Sequence, residues 1–385
     1  MQINAPNLPL LYIITMIFTL CVQSKCAVAD AGVNLPLTAP TSPIRVTFVS
    51  PASELDTAYW EATTRFMRSA ADDLGIELEV LYSNSDIGLT YIKAKEVLAR
   101  ENKPDYLVQV YSGQQGIRTL ALAQEMGVPT VIVNTSLRTI ERKESGWPRG
   151  KHPLWLFHLP TDDVNAGELL GHTIIQQRKL SLKKGTPINL LALNGEAFSP
   201  VPALREQGLR IALAKHNIEL TQIVSTNWSP DDVRLKLPKL LERHPNVNTL
   251  WCASDEIATA AVDILESMNI KAGTDVVVGG IDGLPSVYEY IRTNKINASL
   301  TGHFAVGAWA LVLLHDYHHG FTEPLEGYEF PLALQALTAN NIERFERVLS
   351  EQNKADIDFT RFSKVHNKDL IRYDFTLNGI LNAIE

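Results

Sequence analysis

The chain has 385 residues, enough for two domains with separate cores. With 45% hydrophobic and 20% charged residues it has the composition of a folded globular protein, which excludes disorder as the default reading. A formal net charge of -8 excludes nucleic acid as the expected partner, because phosphate binding needs clustered Lys and Arg.

Residues 8–22 ("LPLLYIITMIFTLCV") form one uncharged apolar run, and "AVA" at 27–29 offers small residues at cleavage spacing. This predicts a cleavable signal peptide over 1–29, and hence export. The run is short for a membrane span. Cleavage would remove Cys21 and Cys26 and leave Cys252 alone. One cysteine cannot form an internal disulfide, and in "TLWCAS", at the end of an apolar strand, it reads as a small buried hydrophobe.

From residue 44 the chain alternates between two hydrophobic periods. Strands are predicted over 44–50, 76–82, 104–110 and 128–134, and helices over 57–75, 90–102 and 115–127. The polar, turn-rich stretch 135–153 interrupts this pattern, which then restarts. Helices are expected over 162–180, 203–217, 230–245, 256–269, 285–295 and 303–320. Strands are expected over 187–194, 218–226, 247–253, 275–281 and 296–301. Pro238 falls inside one helix and should kink it. Such alternation specifies α/β architecture with two doubly wound parallel sheets. Ligands of these sheets bind beyond the carboxyl ends of strands. Asn134, Asn194, Asp255 and Asp282 fall at such ends.

No G-x-S-x-G, Walker loop or H-E-x-x-H is present, and "YSGQQG" lacks the Lys-Ser/Thr of a phosphate loop. His315, His318 and His319 have metal-ligand spacing. They also end a helix just before Gly320, where donor side chains suit the carbonyl end, so neither metal nor cofactor is expected.

Four stretches in order, "DTAYWEATTRFMRSAADDLG", "ALREQGLRIAL", "HPNVNTLWCASDEIATAAVDIL" and "VVVGGIDGLPSVYEYIRTNKINASL", resemble the type I periplasmic binding proteins of the ribose-binding kind. The similarity runs from about residue 44 to about 331. It implies two α/β lobes joined by a hinge of crossover strands and closing on a small ligand. The lobes would comprise 44–136 with 304–330, and 137–303 with 331–385. Repressors that share this core carry an N-terminal DNA-binding domain, whereas this N-terminus reads as an export signal.

The resemblance implies roles for particular residues. Tyr59 and Trp60 match an aromatic pair that stacks on a sugar ring, although neighbours on a helix point about 100° apart, so one of them could belong to the core. Asn134 matches a polar ligand contact and Arg205 an arginine that donates to hydroxyl or ring oxygens. Trp228 matches an aromatic flank of the cleft, with core packing as its other reading. Ser254 and Asp255 match the polar position and its neighbour; Asp255 reads equally as a helix cap. Asp282 matches the carboxylate that grips hydroxyls, although Asp-Gly by itself is an ordinary turn dipeptide.

More distantly the chain is similar to the periplasmic receptors for autoinducer-2, at Thr57, Trp60, Asn134, Arg205, Ser254 and Asp255. It departs from them at Leu55, Ile281 and Gly302, which disfavours that ligand. Gly302 also departs from the glutamine of ribose-binding proteins, with His303 as its candidate substitute. The implied function is non-enzymatic: a monomeric receptor delivering a sugar-like ligand to the permease of an ABC importer. The other readings are the partner of a membrane sensor and, third, a periplasmic hydrolase. Residues 340–385 extend past the usual end of such proteins. A helix is expected over 340–353, and the regular aromatics Phe359, Phe362, Tyr373 and Phe375 suggest packing along one lobe.

Overall fold

The computed structural model describes residues 42–52, 58–84, 86–183, 185–197, 199–349 and 357–384. The expected signal segment 1–29, Leu55 and Thr57 lie outside them. The first lobe runs β1 (Ile44–Ser50), α1 (Ala58–Leu74), β2 (Ile76–Tyr82), α2 (Ile87–Leu98), β3 (Tyr106–Val110), α3 (Gly113–Met126), β4 (Thr130–Asn134), α4 (Thr139–Ser145) and β5 (Trp155–Pro160). Its strands are all parallel, in the order β2-β1-β3-β4-β5. Near-continuous burial of β1 and β3 explains why both read as unbroken apolar runs: helices cover both faces of the sheet.

The second lobe contains α5 (Asp163–Ser181), β6 (Leu190–Asn194), α6 (Pro200–His216), β7 (Leu220–Ser225), α7 (Pro230–Arg243), β8 (Thr249–Cys252), α8 (Asp255–Ser267), β9 (Val277–Asp282), α9 (Tyr288–Arg292) and β10 (Ala298–Thr301). The chain then returns to the first lobe as α10 (Val306–His318), which packs on α1. It crosses back to β11 (Gln335–Leu337), followed by α11 (Ile342–Leu349) and α12 (Leu377–Ile384). The second sheet has the order β11-β10-β9-β8-β6-β7, parallel except for the antiparallel edge pair β10–β11. Pro238 lies inside α7, which runs on through it to Arg243.

Two expectations about lobe boundaries need correction. Residues 137–160 were expected in the second lobe, but β5 pairs in parallel with β4 and completes the first sheet. Its signal was masked by the polar stretch before it and by His158, whose partners are remote in sequence. His158 is fully buried, with Nε2 2.9 Å from the Thr135 carbonyl and Nδ1 2.7 Å from Glu329. The C-terminal extension, expected along one lobe, grips both. Asp316 of α10 is buried and accepts hydrogen bonds from Ser363 Oγ, the Lys364 amide and the Tyr373 hydroxyl. Trp309 of α10 packs against Phe359, Phe362 and Phe375. On the other lobe, α11 lies on α9, where Glu346 pairs with Arg292.

The histidines near the end of α10 have ordinary partners. His318 Nδ1 meets the Tyr106 hydroxyl at 2.9 Å, His319 Nδ1 meets the His315 carbonyl at 2.8 Å, and His315 stacks on His366. Among the described residues no group of three or more His, Cys, Asp or Glu could hold a metal ion.

Candidate functional site

The carboxyl ends of both sheets open on one cavity of about 490 Å³, a volume typical of small-molecule sites. Its wall collects the last residues of β4 (Asn134) and β9 (Asp282) and residues just beyond β3 (Tyr111, Gln114, Gln115), β6 (Glu196), β8 (Ser254, Glu256) and β10 (His303). This is the crevice where a doubly wound sheet exposes strand ends and helix starts. A second hollow, of about 420 Å³, lies at the opposite, amino-terminal ends of β8 and β9, beside Val247 and Val276.

Tyr59 and Trp60 both line the cavity from the first turn of α1. Tyr59 donates its hydroxyl hydrogen to Asn134 Oδ1 at 2.6 Å and stacks on the His303 ring at 4.7 Å. Burial raises its phenol, so it stays neutral. Trp60 meets Tyr59 edge-on, with ring centroids 5.0 Å apart. Asn134 ends β4 with φ +67°, a region that Asn tolerates better than most side chains.

Arg205 is positioned by close helix packing. A Cβ on Gly167 would come 1.9 Å from the Arg205 carbonyl, and one on Gly208 would come 1.9 Å from the Val164 carbonyl. These two glycines let α5 and α6 meet backbone to backbone. Arg205 Nε then donates to buried Asp163 at 3.0 Å, and Nη1 to the Ala253 carbonyl at 2.6 Å. Burial lifts the Asp163 carboxyl to about 6, with Arg205 opposing the rise. The guanidinium sits 5.9 Å from the Trp228 ring centre. Trp228 itself has φ +59°, following Asn227 at +51°, so this loop holds the indole in a conformation that costs backbone energy. Gly195 lies beneath the ring; any Cβ there would stand 2.2 Å from it.

Ser254 caps α8, its Oγ accepting from the Ile257 amide, and it also lines the cavity. Asp255 does not line it. Its carboxylate turns inward and accepts from the Gly283 amide (2.7 Å), the Leu284 amide (3.2 Å) and Ser299 Oγ (2.6 Å). The expected pairing of roles is thus corrected: Ser254 is the cap, and Asp255 holds the turn that carries Asp282. Gly280 leaves room for it, since a Cβ there would lie 2.4 Å from Asp255 Oδ1.

Asp282 ends β9 with φ +137°, a conformation rare for a residue with a side chain, and is 7% exposed. Its Oδ2 accepts weakly from the Asp255 amide at 3.4 Å, and its Oδ1 lies 3.4 Å from His303 Nε2. Burial holds its carboxyl above the usual carboxylate range, and Arg205 partly offsets this. Burial raises the Asp255 carboxyl in the same sense, reinforced by Asp282. His303 is 1% exposed and held neutral by burial and by Arg205. Its Nδ1 is buried without a hydrogen-bond partner. Cys252 is fully buried, which pushes its thiol up and makes it no nucleophile.

Seven of the eight expected site residues therefore meet at one cavity. Sequence reasoning missed Tyr111, Gln114, Gln115, Glu196 and Glu256. Their only signal was position just after a predicted strand.

The chain matches the periplasmic binding protein domain over residues 47–320. It belongs to the periplasmic binding protein family. Within the family its likeness is to the type I sugar-binding proteins. A crystal structure of a periplasmic sugar-binding protein from Pseudomonas fluorescens is similar at TM-score 0.79 and 31% identity, covering 88% of this chain and 99% of that one. The galactofuranose-binding protein YtfQ of Escherichia coli (strain K12) is 22% identical over 278 residues, 71% of this chain and 81% of the relative. The ribose import binding protein RbsB of the same strain is 23% identical over 252 residues, 64% of this chain and 76% of the relative. This periplasmic binding protein thus has its candidate site where its fold concentrates polar groups.

Proposed function

We propose that this protein closes its lobes on a small sugar or sugar-like ligand and hands it to the permease of an ABC importer. The observation that carries the reading is that Asp282, Arg205 and Trp228 line one cavity, with the Arg205 guanidinium close to the Trp228 ring. A sugar presents adjacent hydroxyl donors and an apolar C–H face. A carboxylate accepts from two hydroxyls, a guanidinium donates to ring or hydroxyl oxygens, and an indole covers the C–H face. Tyr59, Trp60, Asn134 and Ser254 supply further contacts in this reading, and Asp255 acts through Asp282. The import role draws on relatives that include ribose import and galactofuranose-binding proteins.

The lobes divide where the chain crosses between the sheets: from β5 to α5, from β10 to α10, and from Leu332 to β11. These segments would bend on closure. A thermal-shift screen across pentoses and hexoses tests the reading. A bound sugar at 100 times its dissociation constant should add about 2.7 kcal/mol of stability. If no member of the panel raises the melting temperature, the sugar reading fails.

A further inference from the structure

We propose that the C-terminal extension is a strap between the lobes that limits how far they open. This goes beyond the sugar reading and holds whatever the ligand is. The crossovers that join the lobes belong to the alternating α/β core, and the extension adds contacts on both sides of them. Its first part, α11, lies on α9 of the second lobe, with Ile342 and Phe345 buried and Glu346 paired with Arg292. Residues 357–375 lie on the first lobe. There the Phe359 amide donates to Asp73 of α1 at 2.8 Å, and Asp316 of α10 accepts from Ser363, Lys364 and Tyr373. The last part, α12, joins the two. Arg344 of α11 donates to Asn382 at 3.1 Å, and Arg361 donates to the Ala383 carbonyl at 2.7 Å. Leu377 reaches the crossover from β10 to α10, since a Cβ on Gly302 would stand 3.5 Å from the Leu377 Cβ.

The two ends are unequal. The first-lobe end is buried, walled by Trp309 against Phe359, Phe362 and Phe375, and built on hydrogen bonds to a carboxylate, which are among the strong ones. The second-lobe end is a helix of eight residues whose ion pair is partly exposed, and such pairs hold weakly. Rotation about the hinge shifts α9 relative to α10, so the extension must let go at its weaker end before the lobes can open widely. Until α11 releases α9, the rotation is restrained. Apparent affinity scales with the fraction of molecules in the binding-competent arrangement. The strap therefore keeps the empty protein within reach of its closed form.

Pulsed electron–electron resonance on the ligand-free full chain tests this, with spin labels at Ile92→Cys on α2 and Leu235→Cys on α7, exposed positions on opposite lobes. Cys21 and Cys26 are replaced by Ser, and Cys252 is too buried to take a label. Phe345→Ala with Glu346→Lys loosens the second-lobe end, and Ser363→Ala with Tyr373→Phe loosens the first-lobe end. Circular dichroism checks folding; Glu346→Lys alone, at a partly exposed side chain, replaces the first pair if that pair does not fold. Each pair should lengthen the long end of the interlobe distance distribution by more than about 2 Å. Both pairs together should lengthen it no further than the larger single effect, because a strap freed at one end is already slack. Lengthening by one pair only, or by neither, overturns the proposal. So does an additive effect of the two pairs, which would mean two independent local disturbances.

Discussion

Asp282→Asn should weaken ligand binding and at the same time stabilise the empty protein. The substitution removes one charge with almost no change of shape, and Asn shares the Asp tolerance of unusual φ, so the backbone strain at +137° is retained. On the binding side, a hydrogen bond to a charged group contributes roughly 1.5–3 kcal/mol, which predicts an affinity loss of about tenfold to over a hundredfold. On the stability side, the carboxylate is 7% exposed, and its protein contacts are two at 3.4 Å. Its folded-state pKa is raised, so the folded protein binds the proton more tightly than the unfolded chain does. The group's contribution is therefore most favourable below about pH 4 and is lost as pH rises toward the folded-state value. At pH 8 the whole cost is present, and Asn removes it. Every tenfold by which folding tightens the carboxyl's hold on its proton corresponds to about 1.4 kcal/mol, or roughly 2 °C in Tm for a chain of 385 residues. The assays are thermal unfolding of both ligand-free proteins at pH 8 and pH 4.5, and calorimetry with a sugar that binds the wild type. The Tm advantage of the variant should shrink at the lower pH. A variant less stable than wild type at pH 8 would show that the carboxylate is a structural tie; wild-type affinity would remove it from the site.

Arg205→Ala should leave Asp163 buried without its cation and cost about 3–5 kcal/mol in urea unfolding; a loss below about 1 kcal/mol would show that buried Asp163 does not depend on this cation. Asp316→Ala should strip Ser363, Lys364 and Tyr373 of their acceptor and speed amide exchange across 359–375, with unchanged exchange counting against the anchoring role. The Asp316 carboxyl is held below its ordinary value by hydrogen bonds from its neighbours against the opposing effect of burial, so its stabilisation is present above about pH 4 and lost as pH falls through the folded-state value. Small-angle scattering should give a smaller radius of gyration with saturating sugar; an unchanged radius would contradict hinge closure.

Much of this architecture was legible because parallel strands buried on both faces announce themselves. Strands β1 and β2 fall at the residues expected, and most helices within a few residues. Strand β5 was not legible: its ladder depends on the partner strand β4, and its His158 is satisfied by Glu329, 171 residues away in sequence. Within the site, residue identity at strand ends located the cavity, but side-chain direction was not written there. Asp255 and Asp282 are both carboxylates after strands, and only the through-space partners Ser299 and Gly283 show that Asp255 points inward. The adjacency of Tyr59 and Trp60 suggested that one might be core, yet both face the cavity because α1 begins beside it.

The central claim is that one sugar molecule sits between the lobes against Asp282, Arg205 and Trp228. A crystal structure of the protein grown with a neutral sugar selected by the thermal-shift screen tests it most directly. Sugar hydroxyls should lie within hydrogen-bond distance of the Asp282 carboxylate and the Arg205 guanidinium, with the C–H face against Trp228. A sugar bound elsewhere, or bound in the cleft without touching Asp282, would contradict it.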